Sequence, residues 1–185
     1  SKNKSSPVAI LIKKNIFKKE KIKNKIQINK NYNLTRENFI KNLLKAVNKK
    51  DLIISTTGYT SRELYQIRKE TNIKAGKDFY MVGGMGHSSS VSLGASLSSK
   101  KRVICLDGDG SILMHFGALH TASNYKKKNL KIILLNNNSH ESVGGQRTYL
   151  KKINFNEIIK GFGFKSYVKI KDKNNLYRKI INFLN

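Results

Sequence analysis

The chain is short of several things at once. Proline occurs once, cysteine once and tryptophan not at all, and there are only 11 acidic residues against 37 lysines and arginines. The lone Cys105 excludes a disulfide framework within the chain. Set in the apolar run Val103–Leu106, it reads as a core residue of a buried strand, and it fits a reducing, cytoplasmic setting. No apolar stretch has the length that crosses a bilayer, and no signal-peptide pattern is present, so no membrane partner is expected. The shortage of acids leaves a formal charge of +26, which alone would suggest nucleic acid or an anionic surface. The lysines, however, are spread along the whole chain among Asn and Ile. There is no RNA-binding signature and no interleaved aromatic platform. The charge is read as compositional, with a secondary benefit for anionic substrates, and no nucleic-acid partner is expected.

What the sequence does have is a pair of strand ends. Val103–Leu106 is an apolar run that stops at Asp107-Gly-Asp-Gly110, a turn of small residues. Ile112, Phe116, Leu119 and Ala122 then follow at helical spacing, and a second apolar run, Ile132–Leu135, ends in Asn136-Asn-Asn138. This is a βαβ unit, and ligands bind such sheets at the carboxyl edge of the strands. Asp109 and the Asn136–Asn138 run are expected to meet there. A carboxylate, a carboxamide oxygen and a backbone carbonyl are hard ligands that suit Mg²⁺ or Ca²⁺. Glycines on both sides of Asp109 allow close approach, and free N–H groups at the following helix start favour an anion such as diphosphate.

Gly108-Asp109-Gly110-Ser111, followed after a helix and strand by Asn136-Asn137, resembles the cofactor motif of thiamine-diphosphate-dependent enzymes. Gly83-Gly-Met-Gly-His87, Leu106-Asp-Gly-Asp-Gly110 and Asn137-Asn-Ser-His-Glu-Ser-Val-Gly-Gly-Gln146 are similar to the phosphonopyruvate and sulfopyruvate decarboxylase family. The likeness covers roughly Thr56 to Thr148, and the last of these strings is its most specific part. The resemblance implies thiamine diphosphate and Mg²⁺ as cofactors. It assigns the metal to Asp109, the Asn137 side-chain oxygen and the Ser139 backbone carbonyl, with Gly108, Gly110 and Ser111 around the diphosphate. It also implies that the Gly83 carbonyl receives the aminopyrimidine amino group and that Met85 wedges the cofactor into its bent form. His140 and Glu141 are then catalytic candidates at the mouth of the site. His87 is a third, with packing at a helix start as an equal reading. Tyr59 stands where the family carries a lysine, and Arg147 where it often carries a proline. Gly144-Gly145 suggests a loop able to close over substrate.

The rest of the chain gives the layout. Ser6–Ile12 is expected to be a strand, with residues 1–17 the tail of a preceding pyrimidine-binding domain, or else an edge strand of this same domain. Residues 18–33 are a basic linker, and residues 34–185 form the cofactor domain. Within it, Thr35 caps a helix carrying Phe39, Leu43, Leu44 and Val47. Leu52–Ser55 is a strand, and Thr60 or Ser61 caps a helix from Arg62 to Glu70. Phe79–Val82 is a strand and Val91–Leu97 a tightly packed helix. Ile153–Ile159 is a short helix, Phe164–Ile170 a last strand and Leu176–Leu184 a closing helix. Strands alternating with helices predict an α/β fold, a doubly wound parallel sheet with helices on both faces. No glutamate in this chain sits in the context of the family's activating one. That group is expected from a pyrimidine-binding domain or subunit, in a homo- or hetero-oligomer. The substrate expected first is 3-phosphonopyruvate, converted to phosphonoacetaldehyde and CO₂ in phosphonate biosynthesis. The β-type subunit of sulfopyruvate decarboxylase is the alternative. A non-catalytic remnant or a basic nucleic-acid module are the alternatives of another class.

Overall fold

A computed structural model describes residues 10–14, 16 and 33–185. In chain order the elements are α1 (Arg36–Ala46), β1 (Leu52–Ser55), α2 (Tyr59–Thr71), β2 (Lys77–Tyr80), α3 (Ser88–Ser98), β3 (Val103–Gly108), α4 (Asp109–Met114), α5 (Gly117–Asn124), β4 (Leu130–Leu135), α6 (Phe155–Gly161) and α7 (Leu176–Leu184). The four strands pair in parallel in the order β2-β1-β3-β4, with Ile54 opposite both Phe79 and Cys105, and Cys105 opposite Ile132.

The alternation of side chains along the strands sends them to two helix layers. Ile53, Ile104, Leu106 and Ile133 meet Leu43 and Leu44 of α1, Leu64 of α2 and Ile180 of α7 in the larger core. On the opposite face lies α3, whose Ser89 hydroxyl reaches Cys105 and Asp107. A smaller aromatic-rich core beside it joins Ile112, Leu119 and Ile159 to Phe116, Phe155 and Phe162. Helices therefore cover both faces, as expected. Because β2 and β3 lie on opposite sides of β1, the winding reverses between β1 and β3, and the carboxyl ends of those two strands form the crevice of the fold.

Several expectations need correction. Phe164–Ile170 is not a strand: Phe164 and Tyr167 pack onto the aromatic cluster and Ile170 onto the larger core, so the alternation serves helix surfaces and not a ladder. The helix after Asp109 is interrupted at His115 (φ −134°, ψ 54°), giving α4 and α5. The helix α2 begins earlier than Arg62, directly after Gly58, which takes φ +92°, a conformation glycine adopts freely. Ser61 does not cap it; its hydroxyl bonds to the Ser55 hydroxyl and donates to the Thr56 carbonyl, both at 2.6 Å. The strand expected at Phe79–Val82 is displaced to Lys77–Tyr80, leaving Val82 91% exposed beyond it. The short helix expected from Ile153 begins at Phe155. Of the expected Ser6–Ile12 strand, Ile10–Ile12 are exposed and outside the sheet. The remainder of the tail, and nearly all of the 18–33 linker, lie outside the described residues.

Candidate functional site

The crevice is built on Ser111. It lies at the start of α4, and its hydroxyl accepts a hydrogen bond from the Thr56 hydroxyl at 2.8 Å and one from the Gly86 N–H at 2.9 Å. The ends of β1, β2 and β3 are thus joined at one buried atom. A hydroxyl that accepts twice still has its own hydrogen to donate, and Ser111 lines the cleft.

Asp109 follows directly from β3 and is 3% exposed. It accepts a bond from the Thr148 hydroxyl at 2.6 Å. Burial pushes its carboxyl above the ordinary value of 3.8; the Thr148 hydroxyl, the Gly110 N–H and nearby His140 offset this only in part. A desolvated carboxylate without a lysine or arginine partner among the described residues is a place for a cation. Gly110 lies beneath the His140 ring, so a side chain there would meet the ring and force it to move.

Past β4, the asparagine run folds into side-chain turns. Asn136 Oδ1 accepts from the Asn138 N–H at 2.9 Å, and Asn137 Oδ1 accepts from the Ser139 N–H at 3.1 Å. Ser139 and Arg147 pair in an antiparallel bridge, the His140 N–H donates to the Gln146 carbonyl at 2.8 Å, and the Gly145 N–H donates to the His140 carbonyl at 2.9 Å. Residues 139–147 thereby form a closed loop over the crevice, with Gly144 and Gly145 at positive φ.

Of the expected site residues, Met85, Gly108, Asp109, Gly110, Ser111, Asn137, Ser139, His140 and Glu141 all line one shallow, open cleft. Gly83 and His87 do not line it. His87 occupies the position before α3 without capping it, and its ring instead lies 4.3 Å from that of His115. That is the packing reading of His87. The Gly110 N–H contributes to holding the Asp109 carboxylate. Glu141 is tethered: Asn137 Nδ2 and Arg36 Nη1 both donate to its Oε2 at 3.0 Å. Arg147 makes its contact through the backbone bridge to Ser139.

Arg36, Thr56 and Thr148 are functional-site residues that sequence reasoning missed. Nothing local marks Arg36, whose partners Glu63 and Glu141 lie 27 and 105 positions away.

The chemistry of the donors fits the expected cofactor group. Asp109, Asn137 Oδ1 and the Ser139 carbonyl offer oxygens alone, the set a hard divalent ion takes in preference to the nitrogen and sulfur ligands of softer metals. No cluster of three or more His, Cys, Asp or Glu able to hold a metal occurs among the described residues.

A crevice lined by oxygen donors and a helix start, at the reversal point of a doubly wound sheet, is where α/β domains of this class bind phosphate-bearing cofactors. Comparison with known proteins makes this specific. The family "Thiamine pyrophosphate enzyme, C-terminal TPP binding domain" matches residues 56–185, and the chain belongs to it. Its cofactor is thiamine diphosphate, as the resemblance of the sequence motifs implied. Relatives include sulfopyruvate decarboxylase subunit beta of Methanocaldococcus jannaschii, 39% identical over 129 residues, which cover 69% of this chain and 66% of that one. The corresponding subunit of Methanothermobacter thermautotrophicus is 44% identical over 62% of this chain and 59% of its own length. Phosphonopyruvate decarboxylase of Streptomyces viridochromogenes is 36% identical over 71% of this chain and 32% of its own. The chain thus spans less than two thirds of these relatives. Among the described residues, no helix is long and apolar enough to cross a membrane.

Proposed function

We propose that this chain supplies the diphosphate-binding half of a thiamine-diphosphate- and Mg²⁺-dependent decarboxylase. Its substrate is a three-carbon 2-oxo acid with an anionic tail. One observation carries the reading: the buried Asp109 carboxylate, paired with no lysine or arginine among the described residues, stands in the same cleft as Asn137, Ser139 and Met85. The β-subunit relatives, at 39% and 44% identity against 36% for phosphonopyruvate decarboxylase, favour a β-type chain and sulfopyruvate. Phosphonopyruvate is the second reading, supported by the likeness of the His140–Gln146 string to the decarboxylases of that substrate.

Thiamine diphosphate, when bound, supplies the electron sink for loss of CO₂. The residues of this chain would do the rest. Asp109, Asn137 and the Ser139 carbonyl would hold Mg²⁺, and the Ser111 hydroxyl would donate to diphosphate. Met85 would support the bend of the cofactor. His140, on its closed loop, would keep water from the crevice and hold a proton near the substrate. The activating glutamate would come from a pyrimidine-binding partner domain or subunit. The test is CO₂ release from sulfopyruvate, phosphonopyruvate and pyruvate by the chain with that partner, thiamine diphosphate and Mg²⁺. Preference for sulfopyruvate supports the β-type reading and preference for phosphonopyruvate the second. Absence of turnover with all three would refute both.

A further inference from the structure

Arg36, the first residue of α1, lines the cleft that holds Asp109 and His140. Its two carboxylate partnerships are unequal. With Glu63 of α2 it forms a two-pronged fork, Nη2 at 2.6 Å and Nε at 2.8 Å, both side chains being largely covered. With Glu141 it makes one bond, at 3.0 Å, to a carboxylate that is 48% exposed on the loop over the crevice. Single exposed ion pairs are weak and exchange readily, whereas a planar fork is not easily displaced. The outer corner of the guanidinium is therefore presented to the cleft with an exchangeable carboxylate on it.

A second cation, Arg62, does not itself line the cleft but meets a ring that does. The Tyr59 ring, which also lines the cleft, has Arg36 Cζ 5.8 Å and Arg62 Cζ 5.5 Å from its centroid. Both guanidinium groups are within cation–π range of the ring, which draws them to this part of the surface. Arg62 is exposed, and no carboxylate pairs with it among the described residues.

We infer that Arg36 and Arg62, both drawn to Tyr59, form a subsite for a tetrahedral anionic group, phosphonate or sulfonate, and that Glu141 occupies the Arg36 side of it until that group arrives. The inference rests on the decarboxylase reading, in which such a group is the far end of the substrate. An anion with three oxygens can engage both guanidinium groups, which a loop carboxylate on one corner does not do. Released from Arg36, Glu141 keeps its bond from Asn137, so occupation of the subsite is passed to the loop that carries His140.

The cofactor's own diphosphate offers similar chemistry, and the experiment separates the two sources. Three quantities would be measured in the assembled enzyme for wild type, Arg62→Ala, Arg36→Lys and Glu141→Gln. They are kcat and KM for the anion-tailed acids and for pyruvate, thiamine diphosphate affinity by calorimetry, and the affinity of methylphosphonate as a non-reacting probe. Arg62→Ala is expected to raise KM for the anion-tailed acids about ten- to hundredfold and to weaken methylphosphonate equally, as loss of a charge-assisted contact does. It should leave pyruvate kinetics and cofactor affinity within about twofold. Arg36→Lys, which keeps charge but loses the fork, should do the same less severely, and Glu141→Gln should tighten methylphosphonate. Equal losses on all three acids would overturn the subsite, and a fall in cofactor affinity would reassign the arginines to the diphosphate. Should wild type turn over none of these acids, the decarboxylase reading fails. The methylphosphonate titration of wild type against Arg62→Ala then decides the subsite alone.

Discussion

At the amino edge of the sheet, Asp51 is 4% exposed and its carboxylate is met by Arg102 at 2.5 Å and by the Asn48 N–H at 2.7 Å. At the carboxyl edge Asp109 is equally buried at 3%, yet its partners are a hydroxyl and backbone N–H groups. One carboxylate has its cation built into the fold, and the other has none among the described residues. Burial is costly for both, so the difference separates a structural ion pair from a place made for an ion.

The comparison breaks most visibly at Asp51. Replacing it by Ala leaves Arg102 buried without its charge partner, and stability is expected to fall by about 3–5 kcal/mol in urea unfolding. Cofactor affinity should stay unchanged in protein that remains folded. A fall in cofactor affinity with stability retained would show that the two edges are not independent.

Gly110→Ala comes next. Its Cβ would have to displace the His140 ring, at a cost of about 1–3 kcal/mol. The expected signature is a loosened 139–147 loop, read as faster amide exchange at His140 and Gly145. Unaltered exchange there would mean that the ring is not fixed over the turn.

Thr148→Val removes the hydroxyl that Asp109 accepts. The carboxyl should rise further, and Mg²⁺ affinity should fall about tenfold, the usual scale for the loss of a group that orients a metal ligand. Calorimetry of Mg²⁺ with thiamine diphosphate present would show it, and an unaltered affinity would exclude the orienting role.

The smallest effect is one of pH. The carboxyl of folded Asp109 lies above the ordinary 3.8, so the metal-free native state holds this proton more tightly than the unfolded chain does. The stability from this group is complete below 3.8 and is lost as the pH rises through the raised value. Saturating Mg²⁺ with cofactor should reverse the slope, because only the ionised form binds the metal. Identical unfolding curves for wild type and Asp109→Asn across this window would show that Asp109 is not perturbed.

These contrasts explain what was legible in the sequence. Helix α7 was read to the residue, Leu176–Leu184, because its apolar spacing and its burial describe the same stripe. The strands β1 and β3 were equally plain, since short apolar runs bounded by polar turns leave few alternatives. Phe164–Ile170 carried an equally good strand pattern, but its aromatic residues were taken up by Phe116 and Phe155, a tertiary competition invisible to local spacing. Within the site, Asp109 and Asn137 were readable because strand ends and small residues announce a crevice. Arg36 and Thr148 were not, because each reaches the site from a distant part of the chain. His87 had the right chemistry in a promising loop, yet the turn at Gly86 leaves its ring against His115.

The central claim is that the carboxyl edge is completed by a metal-bound diphosphate. Its most direct test is calorimetric titration of thiamine diphosphate into the wild-type chain and into Asp109→Asn, each with Mg²⁺ and with a chelator. The account predicts binding to wild type only with Mg²⁺. It also predicts no binding to Asp109→Asn, with a melting temperature no lower than that of wild type. Equal affinity in both proteins, or binding indifferent to Mg²⁺, would contradict it.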